Sequence, residues 1–298
     1  MPPDNVTPDI WFPNLNIYFE RVPQHLFSIF GLDIYLYAAF ILAGIIAAYF
    51  LAAWYAGRTG QRKEDYLDLL ILGVVLAVIG LRTYYLVFNW DSYRHLPFLR
   101  TFFDIRGGGL AIYGGIIGAI IAGIIISVKK NIPFSTFADT CAPSLLLGQI
   151  IGRFGNFFNR EAFGGFTDNL FAMRINIEQA RSPITQELME NAITANGAVY
   201  IQVHPTFLYE AFFNLVLMIL LILYRPHKKF PGEVLLLYML GYGVIRFFIE
   251  GLRTDQLMFF DTGLPASQVM SVVFVVVSVV LIIAGHMRGR PAARARRR

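Results

Sequence analysis

The densest group of polar side chains falls in 152-GRFGNFFNREAFGG-165, where Arg153, Asn156, Asn159, Arg160 and Glu161 stand within nine positions behind an apolar run. A second group recurs at helical spacing: Tyr242, Arg246 and Glu250 lie at i, i+4 and i+8 on one helix face, and Arg253 returns to the same stripe. His204 and Glu210 mark the start of a further apolar run. A guanidinium is planar, binds phosphate through two parallel hydrogen bonds and stays charged when buried. Arg153 and Arg246 therefore read as a clamp on a phosphate, with Asn156 and Asn159 adding neutral hydrogen bonds. A plainer alternative stands beside this: Arg246 and Glu250 neutralise one another in a dry interior, and Arg153 snorkels to an interface. No His/Asp cluster has metal-ligand spacing, and the single cysteine, Cys141, allows neither a thiolate metal site nor an intramolecular disulfide. Neither metal nor cofactor is expected.

The elements that must position these groups are set by hydrophobicity. Of 298 residues, 56% are hydrophobic and 15% charged, with a mean hydropathy of +0.55; soluble domains sit near about 45–50% and about 25%. The excess is gathered into runs long enough to cross about 30 Å of hydrocarbon. Seven spans are expected, at about 34–57, 66–88, 109–128, 134–152, 206–224, 233–251 and 268–286. The predicted fold is an all-α integral membrane protein: a bundle of about seven transmembrane helices with a small extracytoplasmic arm between spans four and five. It would form one polytopic domain over 1–298, with the arm at 153–205 and a basic tail at 286–298. No cleaved signal peptide is expected, because no basic segment precedes an early apolar run.

Arg58, Arg62 and Lys63, then Lys129 and Lys130, then Arg225, Lys228 and Lys229, then six arginines from Arg288 to Arg298 occupy one alternating set of loops, and this set holds every lysine. The positive-inside rule makes that set cytoplasmic and puts the N-terminus outside. The tail reads as a topology signal touching anionic lipid, not as a nucleic-acid contact. With this orientation Arg82, Tyr113, Arg153, His204, Glu210 and Arg246 all reach the outer half of the bundle. Ionisable groups within spans are costly and mark function by default, and the abundant phosphate there is a lipid headgroup. Asp68 and Asp139 lie toward the other half without an evident role, and Cys141 reads as a packing residue. Arg160 and Arg174 are expected past the span end, in solvent. Gly108, Gly109, Gly114, Gly115 and Gly118 suit close helix packing or close backbone approach to a lipid.

The stretches GRFGNFFNREAFGG (152–165), GGLAIYGGIIG (108–118), HPTFLYE (204–210) and YGVIRFFIEGLR (242–253) resemble the bacterial phosphatidylglycerol–prolipoprotein diacylglyceryl transferases, in order along nearly the whole chain. The resemblance implies transfer of a diacylglyceryl group from phosphatidylglycerol to the lipobox cysteine thiol of a prolipoprotein, leaving a thioether and releasing glycerol phosphate. It also implies residence in the bacterial inner or plasma membrane, and signal peptides and membrane lipid as partners. Carried over by motif, the phospholipid-binding arginine falls on Arg153, with Asn156, Glu161 and Gly164 at the signature's other important places. The Tyr-x-x-x-Arg pair falls on Tyr242 and Arg246, and the first-span tyrosine on Tyr37, followed here by Ala38 instead of the usual Gly. Some members carry a histidine as catalytic base where this chain has Tyr113, so the base cannot be copied. His204, Glu161, Glu210 and Glu250 are the candidates, or there is no dedicated base at all, with Tyr113 orienting a headgroup or substrate oxygen.

Other classes fit less well. A transporter would spread polar groups through both halves of the bundle, an intramembrane protease needs a Gly-x-Ser-x-Gly or a facing aspartate pair, and a seven-span receptor has no use for the arginines. A different lipid-headgroup enzyme is the nearest competitor. The chemistry itself needs a base or positive field for a thiol of pKa about 8.5. It also needs preorganised cations for the departing phosphate.

Overall fold

The computed structural model describes residues 6–29, 32–104, 109, 111–259 and 262–289. Gly108 and residues 290–298 of the basic tail, which carry two of the expectations above, lie outside the described residues. The chain divides into two compact units, one formed by 1–48 with 142–298 and the other by 49–141.

The first unit opens with strands β1 (Ile10–Phe12) and β2 (Ile17–Phe19), then a hairpin of β3 (His25–Ile29) and β4 (Leu32–Tyr35) that leads into α1 (Leu36–Arg58). The second unit is built on α2 (Lys63–Phe88), the short α3 (Trp90–Tyr93) and α4 (Phe98–Phe103), and α5 (Ile112–Lys130). Helices α2 and α5 touch backbone to backbone. A Cβ on Gly114 would sit 2.1 Å from the Gly80 carbonyl oxygen, and one on Gly118 would sit 2.1 Å from that of Leu76. Small residues let the two backbones meet, which is the packing use of the span-three glycines.

Helix α6 (Phe134–Asn159) returns the chain to the first unit. There follow β5 (Met173–Asn176), α7 (Gln186–Glu190), β6 (Ile193–Ala195) and β7 (Ala198–Val203), then α8 (Thr206–Tyr224), α9 (Glu233–Leu252) and α10 (Ala266–Gly289). Among the described residues six helices are long and apolar enough to cross a membrane: α1, α2, α5, α8, α9 and α10. The chain is thus a mostly helical integral membrane protein. Helix α6 matches the six in length at 26 residues, but Asp139, Gln149, Arg153 and Asn156 leave it outside that apolar group. It also runs past the expected end of span four, so Arg153 lies inside the helix.

The stretch after α6 is a sheet, which the hydrophobic pattern did not announce. Five antiparallel strands run in the order β2-β1-β5-β7-β6, with Trp11 opposite Arg174 and Met173 opposite Val203. The N-terminal hairpin is therefore joined through β1 to a segment more than 150 positions away in sequence. Ile10, Phe12, Phe163, Met173, Ile175, Ile201 and Val203 close a buried core beneath this sheet, and Phe207 at the start of α8 belongs to it. Asn196 and Gly197, at φ 49° and 79°, form the tight turn between β6 and β7, the left-handed geometry a two-residue hairpin asks of Asn-Gly.

Candidate functional site

Three helices of the first unit meet at one buried carboxylate. Glu210, in the first two turns of α8, is 1% exposed. Its Oε1 accepts from Arg153 Nη2 of α6 at 2.7 Å, and its Oε2 accepts from Arg246 Nη1 of α9 at 3.2 Å. Arg246 Nη2 also meets Glu250 Oε2 at 2.5 Å across one helical turn, and lies 3.5 Å from Ser267 Oγ of α10. The expected Arg246–Glu250 pair is present, then, but it is only one end of a chain of charges. Glu210 and Glu250 are both buried, while the Arg153 and Arg246 side chains keep 20% and 15% of their surface accessible. An unpaired charge at such depth would be very costly, so the carboxylates hold the guanidinium groups in place. Each guanidinium carries five N–H donors, more than these contacts use.

The α6 end extends the network. Arg153 Nη1 lies 3.3 Å from Asn156 Oδ1, and Asn156 Nδ2 donates to Glu161 Oε1 at 2.9 Å. The two groups predicted as neutral contact and acid are thereby linked to the arginine through one amide. Tyr37 of α1 lies against the same helix, close enough that a Cβ on Gly155 would be 2.9 Å from its ring. Tyr242 stacks on Tyr238 one turn back along α9, with centroids 5.8 Å apart. Asn159 is buried, and its Oδ1 has no hydrogen-bond partner among the described residues.

Gly164 sits between two backbones. Its N–H donates to the His204 carbonyl at 3.0 Å, and a Cβ would fall 2.7 Å from the Leu252 carbonyl oxygen and 2.8 Å from His204 Cβ. The position admits no side chain because the 162–165 loop is stitched to the ends of both β7 and α9. His204 itself is half-buried, with Nδ1 3.4 Å from Tyr209 Oη. Burial holds its imidazole below the usual value and favours the neutral ring.

Two expectations about nearby arginines are overturned. Arg160, placed in solvent by the sequence, is 5% exposed and donates through Nη1 to the carbonyls of Val22 at 2.9 Å and Phe158 at 3.0 Å. The chain folds back over it because the N-terminal strands join the sheet. Arg174, expected alongside it, is half-buried: its guanidinium lies 4.5 Å from the Trp11 ring centroid, and Nε donates to Gln202 Oε1 at 2.8 Å. Arg253 is held by both oxygens of Asp255, each at 2.8 Å.

Tyr113 belongs to the second unit, where its ring faces that of Tyr84 at 6.3 Å. Arg82 there is buried and spends its guanidinium on the carbonyls of Gly109 and Thr101. Asp68 gains a structural account: Lys130 Nζ lies 2.6 Å from its Oδ2 and 3.2 Å from Asp65 Oδ1. Asp139 is fully buried. Sequence reading passed over Ser267, Gln149, Asn214 and Tyr238. The signal for the last three was spacing, since each stands four residues from a polar residue already singled out on its own helix.

Comparison with known proteins identifies the family. A family model described as prolipoprotein diacylglyceryl transferase matches residues 24–284. Among curated relatives, the phosphatidylglycerol–prolipoprotein diacylglyceryl transferase of Finegoldia magna is 40% identical over 258 residues, covering 86% of this chain and 93% of the relative. The proteins of the same name from Bacillus mycoides and Oceanobacillus iheyensis are 38% identical over 257 residues and 40% over 252. Those alignments cover 86% and 85% of this chain, and 90% and 84% of the relatives. With the match running through α6, α8 and α9 and every charged group described on them, the chain belongs to the prolipoprotein diacylglyceryl transferase family.

Proposed function

We propose that this chain transfers the diacylglyceryl group of phosphatidylglycerol to the cysteine thiol of a prolipoprotein lipobox. The observation that carries the reading is Glu210 holding Arg153 and Arg246 together, with side-chain surface left accessible on both and more N–H donors than these contacts use. In the reaction the cysteine sulfur attacks the glyceryl carbon bonded to the phosphodiester oxygen. A C–S bond forms, the C–O bond breaks, and its electron pair leaves on glycerol phosphate. The leaving group gains negative charge, so two preorganised forks bind it better in the transition state than in the ground state.

The thiol proton goes to a protein acceptor or to solvent. Glu210 has both oxygens on guanidinium groups, and Glu250 is buried beside Arg246. Glu161, held through one oxygen by Asn156 and half-exposed, and His204, whose burial favours the neutral ring, are the better candidates. Tyr113 we assign to orienting a substrate oxygen, since a phenol is a poor general base. Tyr37, Tyr242, Asn159 and Gly164 we place around the lipid, Gly164 through the loop it permits.

The family supports a bacterial inner-membrane or plasma-membrane protein, and the distribution of lysine supports an N-terminus outside and a cytoplasmic basic tail, as an odd number of spans such as seven requires. The β-sheet arm would then meet the incoming signal peptide. Purified protein incubated with phosphatidylglycerol vesicles and a lipobox peptide should add a diacylglyceryl mass to the peptide and release glycerol phosphate in equal amount. Free phosphatidate or free fatty acid as the product, with an unmodified peptide, would replace this reading by another lipid-headgroup activity.

A further inference from the structure

One turn beyond the charged groups, the same three helices carry a second, neutral set. Gln149, Asn214 and Tyr238 stand four residues from Arg153, Glu210 and Tyr242 on α6, α8 and α9, a displacement of about 6 Å along each axis. Gln149 Nε2 donates to Tyr238 Oη at 3.0 Å, and Asn214 Nδ2 reaches Gln149 Oε1 at 3.5 Å. The rings of Tyr238 and Tyr242 stack with their planes 7° apart, which joins this level to the charged one. The next level is apolar: Ala142, Leu146, Leu221 and Val234 form a buried cluster against which Tyr238 packs. Charge, neutral polarity and hydrocarbon follow in order along three helices.

The neutral level has unused hydrogen-bonding capacity. Asn214 is fully buried, yet its Oδ1 has no partner among the described residues. A buried acceptor left so costs free energy unless something donates to it. Tyr238 Oη accepts from Gln149, so its own hydrogen remains to donate. Gln149 and Tyr238 both keep some accessible surface, so the level is not sealed. One neutral acceptor beside one neutral donor is the complement of an alcohol, which both donates and accepts. A phosphate oxygen could answer only the tyrosine, and an ammonium group only the asparagine.

We propose that Gln149, Asn214 and Tyr238 form a polyol subsite that takes a hydroxyl of the lipid's glycerol headgroup while Arg153 and Arg246 hold its phosphodiester. The inference rests on the transferase reading above. A glycerol hydroxyl lies a short carbon chain beyond its phosphate, a reach comparable with the one helical turn between the two levels. Headgroup choice is then made by neutral hydrogen bonds, because the arginines grip any phosphodiester alike.

The test compares phosphatidylglycerol with phosphatidyl-n-propanol, which has the same carbon count and charge but no headgroup hydroxyl. Transfer to a lipobox peptide is measured in wild type, Tyr238→Phe and Asn214→Leu, each normalised to membrane abundance. Wild type should prefer phosphatidylglycerol by about 10- to 100-fold, the penalty of leaving buried polar groups unpaired with the analogue. In both variants the ratio should collapse toward one. Equal use of the two lipids by wild type would overturn the subsite. So would variants that slow both lipids by the same factor, which is the mark of a packing role, and Tyr238→Phe removes so little that folding should not obscure the result. If wild type modifies the peptide from neither lipid, the transferase reading itself fails and takes the subsite with it.

Discussion

Two ion clusters in this chain share a plan and differ in its use. In the first unit one buried carboxylate, Glu210, is shared by Arg153 and Arg246; in the second unit one ammonium, Lys130, is shared by Asp65 and Asp68. The first leaves the cations partly accessible over a buried acid, while the second leaves an acid accessible, Asp68 at 46%. A lysine is a compact point charge whose donors the two aspartates can occupy. Two guanidinium forks around one acid have donors to spare and a fixed plane in which to offer them. On the reading proposed above, the first arrangement is poised for an anion, whereas the second is satisfied by its own members. A shared ion is thus no sign of function until the groups left over are counted.

The comparison breaks first at Glu210. Glu210→Gln should lower transfer by about 100- to 1000-fold, the loss typical of an electrostatic group displaced in a low-dielectric site. Abundance in the membrane should fall too, because two buried guanidinium groups lose their common counter-ion. Normal activity at normal abundance would show that the arginines do not need it. Next in size, Arg153→Lys and Arg246→Lys should each cost at least about tenfold while the protein still accumulates, since lysine restores charge without the fork. If Arg246 serves only to neutralise Glu250, Arg246→Lys would be nearly silent and Glu250→Gln would rescue Arg246→Gln.

Arginine alone does not decide the matter, as Arg160 shows seven residues after Arg153. Its partners are backbone carbonyls, so Arg160→Lys should act on folding: about 1–3 kcal/mol of stability for buried bonds left unmade, with transfer per folded molecule within a few-fold. A large rate defect in stable Arg160→Lys protein would move that residue into the site. Neither arginine titrates in the working range, so pH dependence must come from elsewhere. His204 is held below its usual 6.5 by burial. Between that lowered value and 6.5 the unfolded chain binds more protons, so its contribution to stability is full above 6.5 and lost as pH falls through the window. Thermal unfolding midpoints between pH 7 and pH 5 should decline more steeply in wild type than in His204→Gln.

Much of this is legible in the sequence alone. The long helices announce themselves through apolar runs, and the charged residues of α6, α8 and α9 stand out because hydrocarbon tolerates so few. What stayed hidden depends on contacts distant in sequence. Strands β1 and β2 are three residues each, and β1 joins the sheet by pairing with β5 across more than 150 positions, so no local period marks them. Arg160 was misplaced for the same reason, since the carbonyl of Val22 that buries it arrives with that N-terminal segment. Gly164 was singled out by motif, but its cause is steric: two backbones close on it, which neither composition nor spacing can show. Gln149 and Asn214 were visible as polar residues in apolar runs and were passed over because they carry no charge.

The smallest effect belongs to the cluster offered as the contrast. Lys130→Arg in α5 exchanges a point charge for a fork, the reverse of the substitutions above. Asp65 and Asp68 can accept from either, and Asp68 is solvated enough that water screens its pairing. Lys130→Arg should therefore leave both abundance and transfer within two- to three-fold of wild type, and Lys130→Met should reduce abundance modestly with little change in transfer per molecule. The asymmetry is the point of the pair. If fork and point charge were interchangeable at Arg153 as well as at Lys130, the arginines would be structural neutralisers, and the phosphate they are assigned would have to be held by other groups. If Lys130→Arg instead reduced transfer tenfold in stable protein, the cluster around Asp65 and Asp68 would have a part in the reaction that its geometry does not suggest. Measuring the four variants side by side, on the same vesicles and peptide, separates these cases in one experiment.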